Sequence, residues 1–225
     1  MGLNVSKGNM YGFVTHTWNV IKGKCEYDCV YCYMKVWGEL KPPRFDHSEL
    51  KTDLEEGNFI FIGSSIDMWA DSISYTWIYD IMTYCQKFED HNKFLIQSKN
   101  PKRFLEFIDV IPHNTYFCTT IETNRSTESI SDAPPIYERV KYMRELKEMG
   151  LITMITIEPV LNFDVDELID IIKICDPLYV NIGADSKKHN LPEPSKEKLL
   201  ILLKELKKLS CATLYEKKNL NRLLK

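Results

Sequence analysis

Cys25-Glu-Tyr-Asp-Cys29-Val-Tyr-Cys32 gathers three thiols into one short stretch. Thiolates are soft ligands suited to an iron–sulfur cluster or to zinc. The C-x3-C-x2-C spacing lets one compact loop wrap three metal positions. A four-iron cubane held by three cysteines keeps one iron without a protein ligand. A small molecule can then coordinate there, as at catalytic metal sites generally. Zinc would need a fourth ligand, for which His16 and His47 are candidates, and the usual paired C-x2-C knots are missing. The chain has seven cysteines. An odd number, three of them clustered, argues for metal binding and against a disulfide framework. Cys85, Cys118, Cys175 and Cys211 are scattered without a second cluster spacing and read as packed thiols.

The other candidates for chemistry stand at the ends of predicted strands. Short β-branched or aromatic runs alternate with longer amphipathic ones, the pattern of β/α units. The strands expected are Thr15–Ile21, Asn58–Gly63, Lys93–Gln97, Thr115–Glu122, Ile152–Glu158 and Leu178–Gly183. The helices expected are Ser72–Lys87, Lys102–Val110, a segment from Pro135 to about Met149, one ending near Cys175, and Pro194–Leu209. Gly150 closes the third of these, Asp164 or Asp166 caps the fourth, and Ser195 caps the last. The fold class expected is α/β: a partial (β/α)6 TIM-like barrel, one domain over residues 1–225.

In such folds chemistry collects at the carboxyl ends of the strands. Ser64, Ser65 and Asp67 follow the second strand, and Ser98 and Lys99 the third. Glu122 and Asn124 follow the fourth, Glu158 the fifth, and Asn181 and Asp185 belong to the sixth. Cys118 alternates in phase with Thr120 and Glu122, so it is expected to point into the barrel, as a packed thiol or as a hydrogen-atom relay.

The chain has 225 residues, 44% of them hydrophobic and 27% charged. That suffices for one sizeable core and excludes a disordered composition. No apolar run approaches the ~18–20 residues of a membrane span. The polar N-terminus has no signal-peptide segment, so a cytoplasmic protein is expected. The net charge is −3, which by itself predicts no polyanion partner. It is unevenly spread: residues 187–225 hold eleven Lys and Arg against four Asp and Glu, a net of +7. This basic C-terminal helix and tail reads as a solvated face or as an edge that touches phosphates.

The cysteine spacing, with Tyr31 just before the last cysteine and near the start of a β/α chain, resembles the motif of the radical S-adenosylmethionine (SAM) superfamily. The resemblance implies a [4Fe–4S] cluster on Cys25, Cys29 and Cys32, with SAM on the open iron. It implies reductive cleavage of SAM to a 5′-deoxyadenosyl radical that abstracts hydrogen from a substrate, with the electron coming from an external one-electron donor. Gly63-Ser64-Ser65 occupies the place of the superfamily's glycine-rich motif, whose backbone receives the methionine amino group. Glu122 matches the position where relatives bind the ribose. Tyr31, Lys99, Glu158 and Asn181 complete the expected cofactor-binding set. Ile96-Gln-Ser-Lys-Asn-Pro101, Thr120-Ile-Glu-Thr-Asn124 and Ile157-Glu-Pro159 are similar to motifs of short, phage-associated radical SAM proteins. Tyr33, after the last cysteine, resembles the spore photoproduct lyase group, in which a cysteine such as Cys118 would relay hydrogen. The substrate class expected is a nucleotide or a nucleic-acid base, small or delivered by a partner protein. A peptide-modifying enzyme and a non-catalytic metal-bearing redox sensor are the alternatives.

Overall fold

The computed structural model describes residues 2–7, 10–187, 189–209 and 212–225. Cys211, read as a packed thiol, and Lys188, one of the lysines of the basic C-terminal segment, lie outside the described residues. Strand β1 (Asn4–Val5) pairs antiparallel with β2 (His16–Trp18). A small separate ladder follows, β3 (Ile21–Lys22) with β4 (Arg44–Phe45). The main sheet resumes with β5 (Phe59–Ile62), β6 (Lys93–Gln97), β7 (Thr115–Thr120), β8 (Ile152–Ile157), β9 (Tyr179–Ile182) and β10 (Thr213–Glu216). Its order is β1-β2-β5-β6-β7-β8-β9-β10, and every pairing from β2 onward is parallel.

Helices α1 (Tyr75–Gln86), α2 (Ile136–Glu148), α3 (Val165–Cys175) and α4 (Lys196–Leu206) connect strands, and α5 (Asn221–Leu224) follows β10. Between β6 and β7 the expected helix is a 3₁₀ segment, Pro101–Phe107. Gly150, at φ +82°, ends α2, and the Ser195 hydroxyl accepts from the Lys198 N–H at 3.3 Å to cap α4. Asp164 stands at the start of α3 without capping it. Its carboxylate is held by Arg125 at 2.8 and 3.0 Å.

Six of the parallel strands are those the sequence pattern predicts, with shorter ends. The correction is β10, a seventh parallel strand on the sheet edge beside β9. Three of its four residues are exposed. A short edge strand that is mostly exposed carries little hydrophobic alternation to betray it.

The two-residue side-chain period divides the sheet into two cores. Ile60, Ile62, Ile96, Ile155, Ile157 and Ile182 face outward into the layer packed by the helices. Phe61, Leu95, Cys118 and Met154 face inward and pack with Tyr11 and Val14. The segment before β2 therefore enters the lumen. The Phe13 ring lies 4.9 Å from Phe59, 6.1 Å from Tyr179 and 5.7 Å from Tyr215. It bridges strands from the beginning and the end of an open sheet and floors the barrel.

Candidate active site

The cysteine loop leaves the sheet after β2 and returns through β4. Gly23 begins the excursion at φ +139°. A Cβ there would sit 2.6 Å from the Pro42 carbonyl oxygen, so only glycine lets the outgoing and returning chains lie this close. Lys22 reinforces the neck, its Nζ 2.8 Å from both Asp46 and Glu49. The far side of the loop docks on residues 127–132. Val30 N–H donates to the Ile130 carbonyl at 2.8 Å, and Asp132 N–H to the Tyr27 carbonyl at 2.9 Å. The Cys29 sulfur lies 3.1 Å from the Ser131 hydroxyl.

Cys25, Cys29 and Cys32 line one cavity of about 600 Å³ at the carboxyl end of the barrel. The expected residues Tyr31, Gly63, Ser64, Ser65, Lys99 and Glu158 line it too, with Tyr27, Asp67, Gln97 and Thr120. Among the described residues no three His, Cys, Asp or Glu side chains gather tightly enough to hold a metal ion. A cubane is bound from separate corners by a cup of thiols. The cup also has an orphan: the Tyr27 hydroxyl is buried on this wall without a hydrogen-bond partner among the described residues. Burial, with Asp67 nearby, pushes the Cys25 thiol up to about 12. The residues present fit a cluster.

Ser64 and Ser65 are held in place by Asn19, just beyond β2. Its amide oxygen accepts from the Ser65 N–H and hydroxyl, both at 3.0 Å, and its amide nitrogen donates to the Ser64 hydroxyl at 3.2 Å. The Tyr33 hydroxyl donates to the Ser64 carbonyl at 2.8 Å. Gly63 turns the chain at φ +75°, where a Cβ would strike the Met68 sulfur at 2.8 Å. Asp67 binds the next strand end, accepting from the Ser98 hydroxyl and the Lys99 N–H, both at 2.8 Å. Sequence reasoning does not find Asn19. Its one signal is a polar side chain just past the first strand.

Glu122, expected to bind the ribose, is fully buried and is not among the residues that line the cavity. Lys99 Nζ stands 3.0 Å from one of its oxygens, which also accepts from the Tyr31 hydroxyl. Arg139 Nη1, from α2, stands 2.9 Å from the other. Burial would raise its pKa, but the Lys99 and Arg139 charges outweigh burial and hold it down to about 2. Arg139 is as buried as Glu122 and also donates to the Pro134 carbonyl at 2.7 Å and the Thr120 carbonyl at 2.9 Å. Its signal is legible: Arg139 falls in phase with the buried face Ile136, Val140 and Met143 of α2.

The far half of the cavity is built by the two ends of the chain. Tyr11 donates to the Gln97 amide oxygen at 2.8 Å, and the Gln97 amide nitrogen donates to the Thr120 hydroxyl at 3.2 Å. Lys217, from just beyond β10, pairs with Glu158 at 2.7 Å and lies 4.7 Å from the centre of the Tyr11 ring. Asn219 donates to the other Glu158 oxygen at 2.8 Å. Gly183 makes this possible, since a Cβ there would meet Glu158 at 2.8 Å.

Two further expected residues stand off the cavity wall. Cys118 is fully buried in the lumen core packed with Tyr11, and burial raises its pKa well above that of a free thiol. Asn181 is buried in β9, and its amide nitrogen has no partner among the described residues. The basic tail also differs from expectation. Lys217 points into the cavity and is matched by Glu158, and Arg222 is matched by Glu193 at 2.7 Å. Lys187 lines the main cavity. Lys218 and Arg222 line a second one of about 500 Å³, which shares Asp185 and Ser186 with the first.

No family model and no curated protein matches this sequence. Solved structures match it by shape. The fold they share with it is a partial barrel around a mostly parallel sheet. Spore photoproduct lyase with bound AdoMet and a dinucleoside spore photoproduct superposes with a TM-score of 0.67 at 9% identity, over 92% of this chain and 78% of that one. The same lyase in complex with the dinucleoside photoproduct gives 0.68 at 11% identity, over 94% and 79%. Streptococcus suis SuiB bound to S-adenosylmethionine gives 0.63 at 11% identity, over 89% of this chain and 49% of SuiB. No helix of the described residues is long and apolar enough to cross a membrane.

Proposed function

We propose that this chain is a radical SAM enzyme acting on a nucleotide or nucleic-acid base. One observation carries the reading. A single cavity has three cysteines of one C-x3-C-x2-C loop on one wall and, facing them, polar lumen groups on the inner side of a partial barrel. When bound there, a [4Fe–4S] cluster and SAM supply one-electron cleavage to a radical that takes hydrogen from the substrate. Cys25, Cys29 and Cys32 would hold the cluster. Ser64 and Ser65, fixed by Asn19, would present backbone groups to the cofactor, with Tyr31 and Lys99 alongside. Tyr11, Gln97, Glu158 and Lys217 would orient the substrate below it. The deeply packed lumen would keep bulk water from the reacting atoms.

The substrate class rests on two supports. The lyase that shares the fold holds a dinucleoside photoproduct. Lys7 and Lys187 line the main cavity, and Lys218 lines the second. Anaerobic reduction of the reconstituted protein is the test of the chemistry. It should release 5′-deoxyadenosine from SAM, and a reduced, cluster-loaded protein that releases none would end the reading. For the substrate, Lys187→Glu with Lys218→Glu should weaken binding to single-stranded DNA or RNA whatever its sequence. The logarithmic salt slope should flatten by about 0.7 for each phosphate that is no longer neutralised. SuiB has been solved with a precursor peptide. Binding of peptides with none of nucleic acids would move the proposal to that class.

A further inference from the structure

Lys99, Glu122 and Arg139 form a buried charge triad with a surplus. Lys99 Nζ and Arg139 Nη1 flank the carboxylate at 3.0 and 2.9 Å, and the Glu122 and Arg139 side chains are wholly buried. Two cations share one anion, so the triad by itself carries a net charge of +1, with the Asp67 carboxylate beside it accepting from the Lys99 N–H at 2.8 Å. The Lys99 ammonium lies 5.2 Å from the centre of the Tyr31 ring and lines the same cavity as Cys29 and Cys32. Tyr31 sits between those two cysteines and is tied by its hydroxyl to Glu122. The surplus charge therefore stands directly behind the loop that would hold the cluster. Little solvent intervenes to screen it.

We propose that this triad sets the reduction potential of the cluster, with Lys99 and Glu122 as positioning residues of opposite sign. The proposal rests on the cluster assignment above. Reduction adds one electron to the cluster. A fixed positive charge nearby favours the reduced form and raises the potential, since cluster potentials follow local charge and solvent exposure. The neutral pair Glu122–Arg139 alone would contribute little, and Lys99 supplies the excess. A carboxylate behind the loop opposes it.

The experiment is a redox titration of the reconstituted protein without SAM, followed by the electron paramagnetic resonance of the reduced cluster. Lys99→Met should lower the midpoint potential, and Lys99→Arg should restore it. Glu122→Gln leaves two cations unopposed and should raise the potential. A purely structural role would move Lys99→Met and Glu122→Gln in the same direction, or neither. Either of those results overturns the proposal. If Glu122→Gln does not retain its cluster, the Lys99 pair decides alone: a potential unmoved by Met, or lowered equally by Met and Arg, overturns it. Failure of the underlying reading looks different, because wild-type protein would then take up no four-iron cluster to titrate.

Discussion

Glu122→Gln removes one charge and keeps the shape, so its effect on stability can be worked from the triad. Against the burial that would raise it, Lys99 and Arg139 hold the carboxyl at about 2, from an ordinary 4.5. The difference is about 2.5 pH units, at about 1.4 kcal/mol each, or between about 3 and 4 kcal/mol of stability. The folded pKa is the lower one, so this contribution is fully present above about pH 4.5. It is lost as pH falls from there towards 2. The assay is urea unfolding of metal-free wild-type and variant protein at a series of pH values. At pH 7 the variant should be less stable by about 3–5 kcal/mol, the usual result of removing one partner from a buried ion pair. As pH falls below 4.5 the gap should narrow, because the wild type loses what the variant never had. Stability curves that stay parallel down to pH 2.5 would refute the reasoning. They would mean that Glu122 is not held ionised by its two cations.

Two further outcomes are expected. Replacing Cys25, Cys29 or Cys32 by Ala should abolish uptake of about four irons and four sulfides. Cys85→Ala and Cys175→Ala should retain it, since those thiols are buried on α1 and α3 and do not line the cavity, and iron and sulfide analysis reads the difference. Asn19→Ala releases the Ser64–Ser65 turn from its hydrogen bonds. Losing about 1 kcal/mol of positioning should weaken SAM binding roughly fivefold by calorimetry while cluster content stays constant.

The parts of this molecule legible in the sequence are those written locally. A three-thiol loop is complete within eight residues, and inward and outward strand faces follow from a two-residue period. Lys99 and Glu158 announce themselves because each stands at a strand end beside the cavity. The parts not legible come from contacts that span the chain. Tyr11 meets Gln97 across 86 residues, from a segment without periodicity. Lys217 looks like one more lysine of a solvated basic tail, yet it finds Glu158 59 residues away. Glu122 shows the limit most clearly. Its strand-end position is evident, but only the docking of α2 brings Arg139 onto its carboxylate.

The Phe13 floor gives the barrel a direction of traffic. Phe13, ahead of β2, packs against Phe59 and Tyr179, the first residues of β5 and β9, and against Tyr215 of β10, at the amino end of the lumen. The cavity therefore fills from the cysteine end. A vessel stoppered at the bottom loads in order of depth: the molecule that lies deepest enters before the one above it and leaves after it. Turnover in such a vessel is a queue, in which the uppermost occupant serves as the lid for everything beneath.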